Sequence, residues 1–179
     1  QFNNCSFSKI RAFDTQGKYC QSIYFFNCNI RRTSVAFVKS DNVTYDFKMH
    51  GCLVEQGDTA LYLINPIGTS ILGNTIEGFH NYAIYYGSAK GLTIHGNYFE
   101  ENGVDIDGRN AGGTSISVSI IGNFFFAGEG NNEWRVKWGD THGSISAGNW
   151  ANRNLHAVNQ FVDIFINDTV ENGFTTNTD

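Results

Sequence analysis

The sequence predicts an all-β chain wound into a parallel β-solenoid, and three observations carry that expectation. The 179 residues include 20 Gly and 21 Asn against 6 Leu and one Pro, with 16 Ile and 15 Phe supplying much of the apolar surface. β-Branched and aromatic side chains suit pleated surfaces, while Gly and Asn tolerate the left-handed conformations of tight turns, so a helical bundle is excluded. A six-residue segment recurs at a nearly constant interval. Between its copies the patterning is that of strands and turns, with nothing helical.

In chain order the copies are Phe2-Asn3-Asn4-Cys5-Ser6-Phe7, Phe25-Phe26-Asn27-Cys28-Asn29-Ile30, Met49-His50-Gly51-Cys52-Leu53-Val54 and Ile71-Leu72-Gly73-Asn74-Thr75-Ile76. Ile94-His95-Gly96-Asn97-Tyr98-Phe99, Ile120-Ile121-Gly122-Asn123-Phe124-Phe125 and a weaker Ser146-Ala147-Gly148-Asn149-Trp150-Ala151 follow. Marked at the Cys/Asn position, they fall at 5, 28, 52, 74, 97, 123 and 149, at intervals of 23, 24, 22, 23, 26 and 26. Each copy carries an apolar residue three before the mark and usually another two after it. Asn or Gly stands immediately before the mark, so two short strands meet at a sharp bend. A third strand follows in most copies, as in Ala60-Leu61-Tyr62-Leu63, Ala83-Ile84-Tyr85-Tyr86, Val104-Asp105-Ile106-Asp107 and Trp134-Arg135-Val136-Lys137-Trp138. Three strands in 22 to 26 residues make each interval one coil, about seven or eight coils in all, each strand pairing in parallel with its copy in the next. The whole span 1–179 reads as a single domain, expected to be part of a longer chain because solenoid ends need caps and neither an opening helix nor a polar first coil is seen.

The coil length and the repeated Gly-Asn-x-aromatic/Ile bend resemble the right-handed parallel β-helix of pectate-lyase-like proteins, which include many bacteriophage tailspikes and capsule depolymerases. The resemblance spans nearly the whole chain and is far more specific for fold than for function. It implies an asparagine ladder at the bend, onto which Asn74, Asn97, Asn123 and Asn149 map, with Cys5, Cys28 and Cys52 in the first three coils. It also implies a homotrimer, a bacterial surface polysaccharide as partner, and an extracellular or virion location in a tail spike.

The formal charge is −5 and no Lys/Arg cluster occurs, so neither nucleic acid nor an anionic membrane is an expected partner. The apolar runs are too short for a helical membrane span, and no membrane insertion is expected. Neighbouring coils lie about 4.8 Å apart, close enough for Cys5, Cys28 and Cys52 to pair, although free buried thiols are the commoner outcome. No spacing suggests a metal site or a cofactor. His50 and His95 share the position two before the mark, with Leu72 between, which sets them roughly 10 Å apart on the outer face.

A fixed register turns equal offsets into stacked columns. Offset +2 is apolar and inward; offset +3 points outward and reads Ser8, Arg31, Glu55, Glu77, Glu100, Phe126. Three carboxylates in adjacent rungs repel one another and raise at least one pKa, a cost with no obvious structural return. Adjacent rungs give roughly the separation of a retaining glycosidase, and two rungs that of an inverting one. A solvated acidic stripe relieved by Arg31 is the structural alternative. Asp105 and Asp107 alternate with Val104 and Ile106 and are expected outside, paired with Arg135 and Lys137 as two surface ion pairs. Tyr62 and Tyr85 are expected to stack outward beside Asp107, with Trp134 and Trp138 one coil further on, as a sugar-binding surface.

These expectations give the candidate catalytic residues Glu55, Glu77 and Glu100, and the candidate substrate-binding residues Arg31, Tyr62, Tyr85, Asp107, Trp134 and Trp138, with no metal. The leading expectation is a polysaccharide hydrolase in which one glutamate acts as general acid and another as base or nucleophile. A polysaccharide lyase using Lys48, His50, His95 or Arg135 is the second, and a non-catalytic receptor-binding solenoid or adhesin is the third.

Overall fold

Left-handed residues recur where the repeat predicts a bend. Asn4, Asn27, Gly51, Gly73, Gly96, Gly122 and Gly148, each one residue before a mark, have φ between 51° and 64°. Only Gly, and after it Asn, enters this region cheaply, which explains the residue choice. A second left-handed column, Lys9, Arg32, Gln56, Gly78 and Glu101, stands four residues after the mark; it follows the short strands at Lys9, Arg32 and Glu101 and lies within longer ones at Gln56 and Gly78. The computed structural model describes residues 1–9, 13–109, 113–128, 133, 135–158, 164–166 and 168–170.

The fold is an all-β parallel solenoid of about six turns. The expected count of seven or eight coils is slightly too high. The first strand row holds Phe2–Asn3, Tyr24–Phe26, Lys48–His50, Ser70–Leu72, Lys90–His95, Ser115–Ile121, Ile145–Ala147 and Ile164–Ile166. Across the bend, the second row holds Ser6–Ser8, Asn29–Arg31, Leu53–Ile64, Thr75–Gly87, Tyr98–Glu100, Phe124–Phe126, Trp150–Ala151 and Thr169–Val170. The third row holds Phe13–Asp14, Ala36–Ser40, Val104–Asp107, Val136–Trp138 and His156–Val158, together with the later halves of the two long strands of the second row. A short fourth row, which includes Cys20–Gln21, Thr44–Tyr45, Pro66–Ile67 and Thr141–His142, joins these three.

The expected register holds. Phe7 pairs with Ile30, Ile30 with Val54, Val54 with Ile76, Ile76 with Phe99, and Phe99 with Phe125. From Ile30 onward these residues are fully buried, as are Phe25, Met49, Ile71, Ile94 and Ile120 from the first row. Rings stack where rungs repeat: Phe2 on Phe25 at 4.9 Å between centroids, and Phe99 on Phe125 at 5.0 Å.

The asparagine ladder is present and continuous. The Asn74, Asn97 and Asn123 amides each donate Nδ2 to the Oδ1 of the next Asn at 2.9 to 3.0 Å, and each Oδ1 also accepts the backbone N–H of the rung before. The same amides reach back to the carbonyls of Met49, Ile71 and Ile94. The ladder runs one copy further than expected, to Asp168, which accepts from Asn149 N and Nδ2 and from Ser146 Oγ. Ile164-Phe165-Ile166-Asn167-Asp168 is a degenerate eighth copy with Asp at the mark, a signal that the Gly-Asn pattern hides. In the first coils the thiols serve the same position: Cys52 Sγ accepts Cys28 N–H at 3.4 Å and donates to the carbonyls of Phe25 and His50. All four cysteines are free, and burial pushes the Cys52 thiol up to about 11.

Strict alternation fails in the third row. Val104, Asp105, Ile106 and Asp107 are all buried, so neither aspartate faces solvent as expected. Register places Asp105 in the column of Phe37, Ala60 and Ala83, all wholly buried; the inside of the turn, and not the outside, receives this position. Asp105 does meet Arg135, at 3.4 Å, but as a fully buried pair and not a surface one. Arg135 also donates to the carbonyls of Asn102, Gly103 and Glu133, and Asn102 Nδ2 donates to Asp105, so the remaining polar atoms of the pair are partnered. Asp107 and Lys137 are register partners but do not form the expected ion pair: Asp107 is bound by Arg109, and Lys137 by Glu133. Trp138 has the parity of Val136 and is fully buried, so it belongs to the core and not to a sugar-binding surface.

Candidate carboxylate site

The second strand row sets the site. Ser8 pairs with Arg31, Arg31 with Glu55, Glu55 with Glu77, Glu77 with Glu100, and Glu100 with Phe126, so the expected outward column exists in full. Val54, Ile76 and Phe99, one residue earlier, lock each strand into the core and thereby aim each glutamate outward. All three glutamates are half-buried.

Each carboxylate has a different neighbour. Arg31 makes an ion pair with Glu55 Oε2, while that oxygen accepts no well-aligned hydrogen bond, so the contact is one of charge. Glu77 lies between two other carboxylates. Burial, a hydrogen bond to Glu55, and the charges of Glu55, Glu100 and Glu101 push its carboxyl up to about 6. Tyr98 stands two residues before Glu100 on the same face; burial and then a hydrogen bond to Glu100 raise its phenol. The left-handed turn at Glu101 brings a fourth carboxylate to the edge of the group. Gln56, Glu77, Gly78, Glu100 and Glu101 line a depression of about 220 Å³. Gly78 is the one residue without a side chain among Lys9, Arg32, Gln56 and Glu101 in its column, and its place opens this notch.

The tyrosine column lies past the bulge between Gly57 and Thr59. Tyr62 and Tyr85 are register partners with stacked rings, 4.8 Å between centroids and 6° between planes, and Asp107 follows Tyr85 in the next rung. Tyr85 is 8% exposed and Asp107 is fully buried, so they support the column from behind and present no contact surface. Tyr62 is the member that reaches open space. It lines a depression of about 410 Å³ with Val35, Ala36, Lys39, Asp41, Asp58, Thr59 and Asn81. Trp134 lies outside the described residues. Of the expected set, the structure therefore assembles Arg31, Glu55, Glu77 and Glu100 in one column and Tyr62 on Tyr85 in another, and it removes Asp107 and Trp138 from the surface.

An aromatic column missed at the sequence level adjoins the carboxylates. Tyr98, Phe124 and Trp150 stack in successive rungs of the second row, at 5.4 and 4.1 Å between centroids, with Phe124 and Phe126 more than a third exposed. Its signal is at the residue after the mark, which reads Ser, Asn, Leu, Thr, Tyr, Phe, Trp.

The residues considered for elimination chemistry do not converge on this site. Arg135 is buried among carbonyls. Lys48 is tied to Asp46 at 3.0 Å and lies over the Tyr24 ring. His50 accepts or donates a 2.7 Å hydrogen bond with Ser70, and burial together with Lys48 lowers its pKa. His50, Leu72 and His95 form a column on the first row, across the bend from the glutamates, with His50 and His95 two rungs apart as expected. Among the described residues no three His, Cys, Asp or Glu side chains converge as a metal site. No family model matches the chain, and no curated protein is recognisably similar to it.

Proposed function

We propose that the solenoid binds and hydrolyses a bacterial surface polysaccharide, capsule or O-antigen, as a glycosidase of the tailspike kind. The observation that carries this reading is Glu77: a carboxyl held near pH 6 by burial and by carboxylates in both neighbouring rungs. Such a group is protonated in part at neutral pH and can donate a proton to a leaving glycosidic oxygen. Glu100, one rung away, serves as the partner carboxylate; a rung spacing of about 4.8 Å matches the separation of roughly 5 Å used in retaining hydrolysis. Glu55, neutralised in part by Arg31, lowers the cost of keeping Glu77 between two anions.

The homotrimer and the extracellular or virion location belong to the same proposal and rest on the resemblance of the repeat to tailspike β-helices. Elimination is disfavoured because a uronate carboxylate would meet this acidic column, whose own cation, Arg31, is already paired with Glu55. Binding without cleavage is the second reading, favoured by the placement of Tyr62 and its depression outside the column.

The products of incubation with capsular and O-antigen polysaccharides decide between these. Hydrolysis yields new reducing ends without near-ultraviolet absorbance; elimination adds the absorbance of an unsaturated sugar; a binder leaves polymer length unchanged. Glu77→Gln is expected to lower hydrolysis by about 10²- to 10⁴-fold while leaving the circular dichroism spectrum unaltered. Full activity in that variant rejects the assignment.

A further inference from the structure

The depression beside Tyr62 has the composition of a binding site that the carboxylate column does not explain. Its volume of about 410 Å³ falls in the range of small-molecule sites. The Tyr62 ring has one face packed on Tyr85, which in turn contacts the Tyr82 ring at 5.4 Å, so the orientation of Tyr62 is set before any ligand arrives. The other face turns toward the Lys39 rung, where the depression opens. Lys39 is anchored on Asp41 at 2.8 Å. The wall thus offers one flat apolar face, the Asp41 and Asp58 carboxylates as acceptors, and the Lys39 ammonium and Asn81 amide as donors. Val35 and Ala36 complete it with apolar surface.

Such a wall fits a pyranose, whose C–H face packs on an aromatic ring while its hydroxyls pair with carboxylates and amides. Its charge selects among pyranoses. Two carboxylates face one ammonium already paired with Asp41, with the exposed His80 ring 3.6 Å from Asp58, and Glu77, Glu100 and Glu101 lie beyond the bulge, so the balance of charge disfavours a uronate, sulfate or phosphate on the sugar. The position connects the two depressions. Asp58 stands two residues after Gln56, and Asn81 three after Gly78, so the sites lie on either side of the bulge in the same two coils, roughly 7–10 Å apart along the chain.

We infer that Tyr62, Lys39, Asp41, Asp58 and Asn81 form a subsite for an uncharged pyranose, and that a glycan reaches the carboxylate column from it by crossing the bulge at Gly57–Thr59. The crossing rests on the hydrolase reading above; the binding of a neutral sugar does not.

The test separates the two. Binding is measured by isothermal titration and saturation-transfer NMR on the Glu77→Gln chain, with glucan, mannan and galactan oligosaccharides as neutral probes and alginate and hyaluronan oligosaccharides as uronate probes. The expected result is binding of a neutral probe that weakens about tenfold or more in both Tyr62→Ala and Asn81→Ala, with every uronate probe weaker. Asn81 is exposed, so its variant reports on the subsite even if Tyr62→Ala fails to fold. Absence of binding by all neutral probes, preference for a uronate probe, or unchanged affinity in Asn81→Ala overturns the subsite. Tyr62- and Asn81-dependent binding without cleavage by the wild-type chain overturns hydrolysis and leaves the subsite standing. Cleavage with an unchanged KM in both variants does the reverse.

Discussion

Glu77 shows how one position joins stability to function. Its raised pKa means that the folded chain holds the proton more tightly than the unfolded chain, whose value is near 4.5. The associated stability is whole below about pH 4.5 and is lost as pH rises through about 6. Solvent screening at a half-exposed carboxyl keeps the loss below about 1 kcal/mol. Glu77→Gln is therefore expected to be slightly more stable than wild type in urea titrations at pH 8 and indistinguishable at pH 4. If Glu77 is the general acid, wild-type hydrolysis falls as pH is raised above about 6, and kcat/KM, which follows the free enzyme, reports that limb. The opposite case at this scale is Arg135, whose charge is buried. Arg135→Leu leaves Asp105 buried and unpaired, and is expected to cost about 3–5 kcal/mol in chemical denaturation. Adding Asp105→Ala, the residue found at this position in two earlier coils, is expected to recover much of that loss. If the double variant is no more stable than the single one, the pair is not what holds that coil.

At the scale of elements, the bend is set by a left-handed residue and then held by the side chain at the mark. Asn74 Oδ1 accepts Cys52 N–H at 2.8 Å, and Nδ2 donates to Met49 O and Asn97 Oδ1, all within the interior. Asn74→Ala orphans these buried groups and is expected to cost about 2–4 kcal/mol. Asn74→Cys keeps an acceptor for the Cys52 N–H, as Cys52 itself does for Cys28, and is expected to cost about 1 kcal/mol less than the alanine variant. Equal losses would show that hydrogen bonding at the mark contributes little. The asparagine ladder, the inward apolar columns and the outward glutamates were all legible in the sequence, because equal offset in a solenoid means equal direction. The third strand was less legible. Alternation assigns Asp105 and Asp107 outside, but the strand leaves a tight turn whose inner side takes Asp105, and Asp107 is covered in place. Trp138 misled for a related reason: an aromatic residue suits a core column as well as a sugar surface, and burial alone separates the two.

For the whole molecule, the solenoid presents its outer faces as strips, each with its own chemistry. The second row carries carboxylates over the middle coils and the Tyr98, Phe124 and Trp150 rings over the later ones. The proposed homotrimer predicts sedimentation at about three times the 19.9 kDa chain mass. A single species at the monomer mass across micromolar concentrations rejects the trimer for this span, while leaving cleavage to be judged by its products.

The period of the chain determined the winding, the rung partners and the existence of a three-glutamate column, since each follows from counting residues between bends. Which side chains remain at the surface was decided only by the tertiary structure. The burial of Asp107 and Trp138, the notch at Gly78 and the open face of Tyr62 depend on turns that cover or expose whole columns, and a one-dimensional period carries no information on what lies over them.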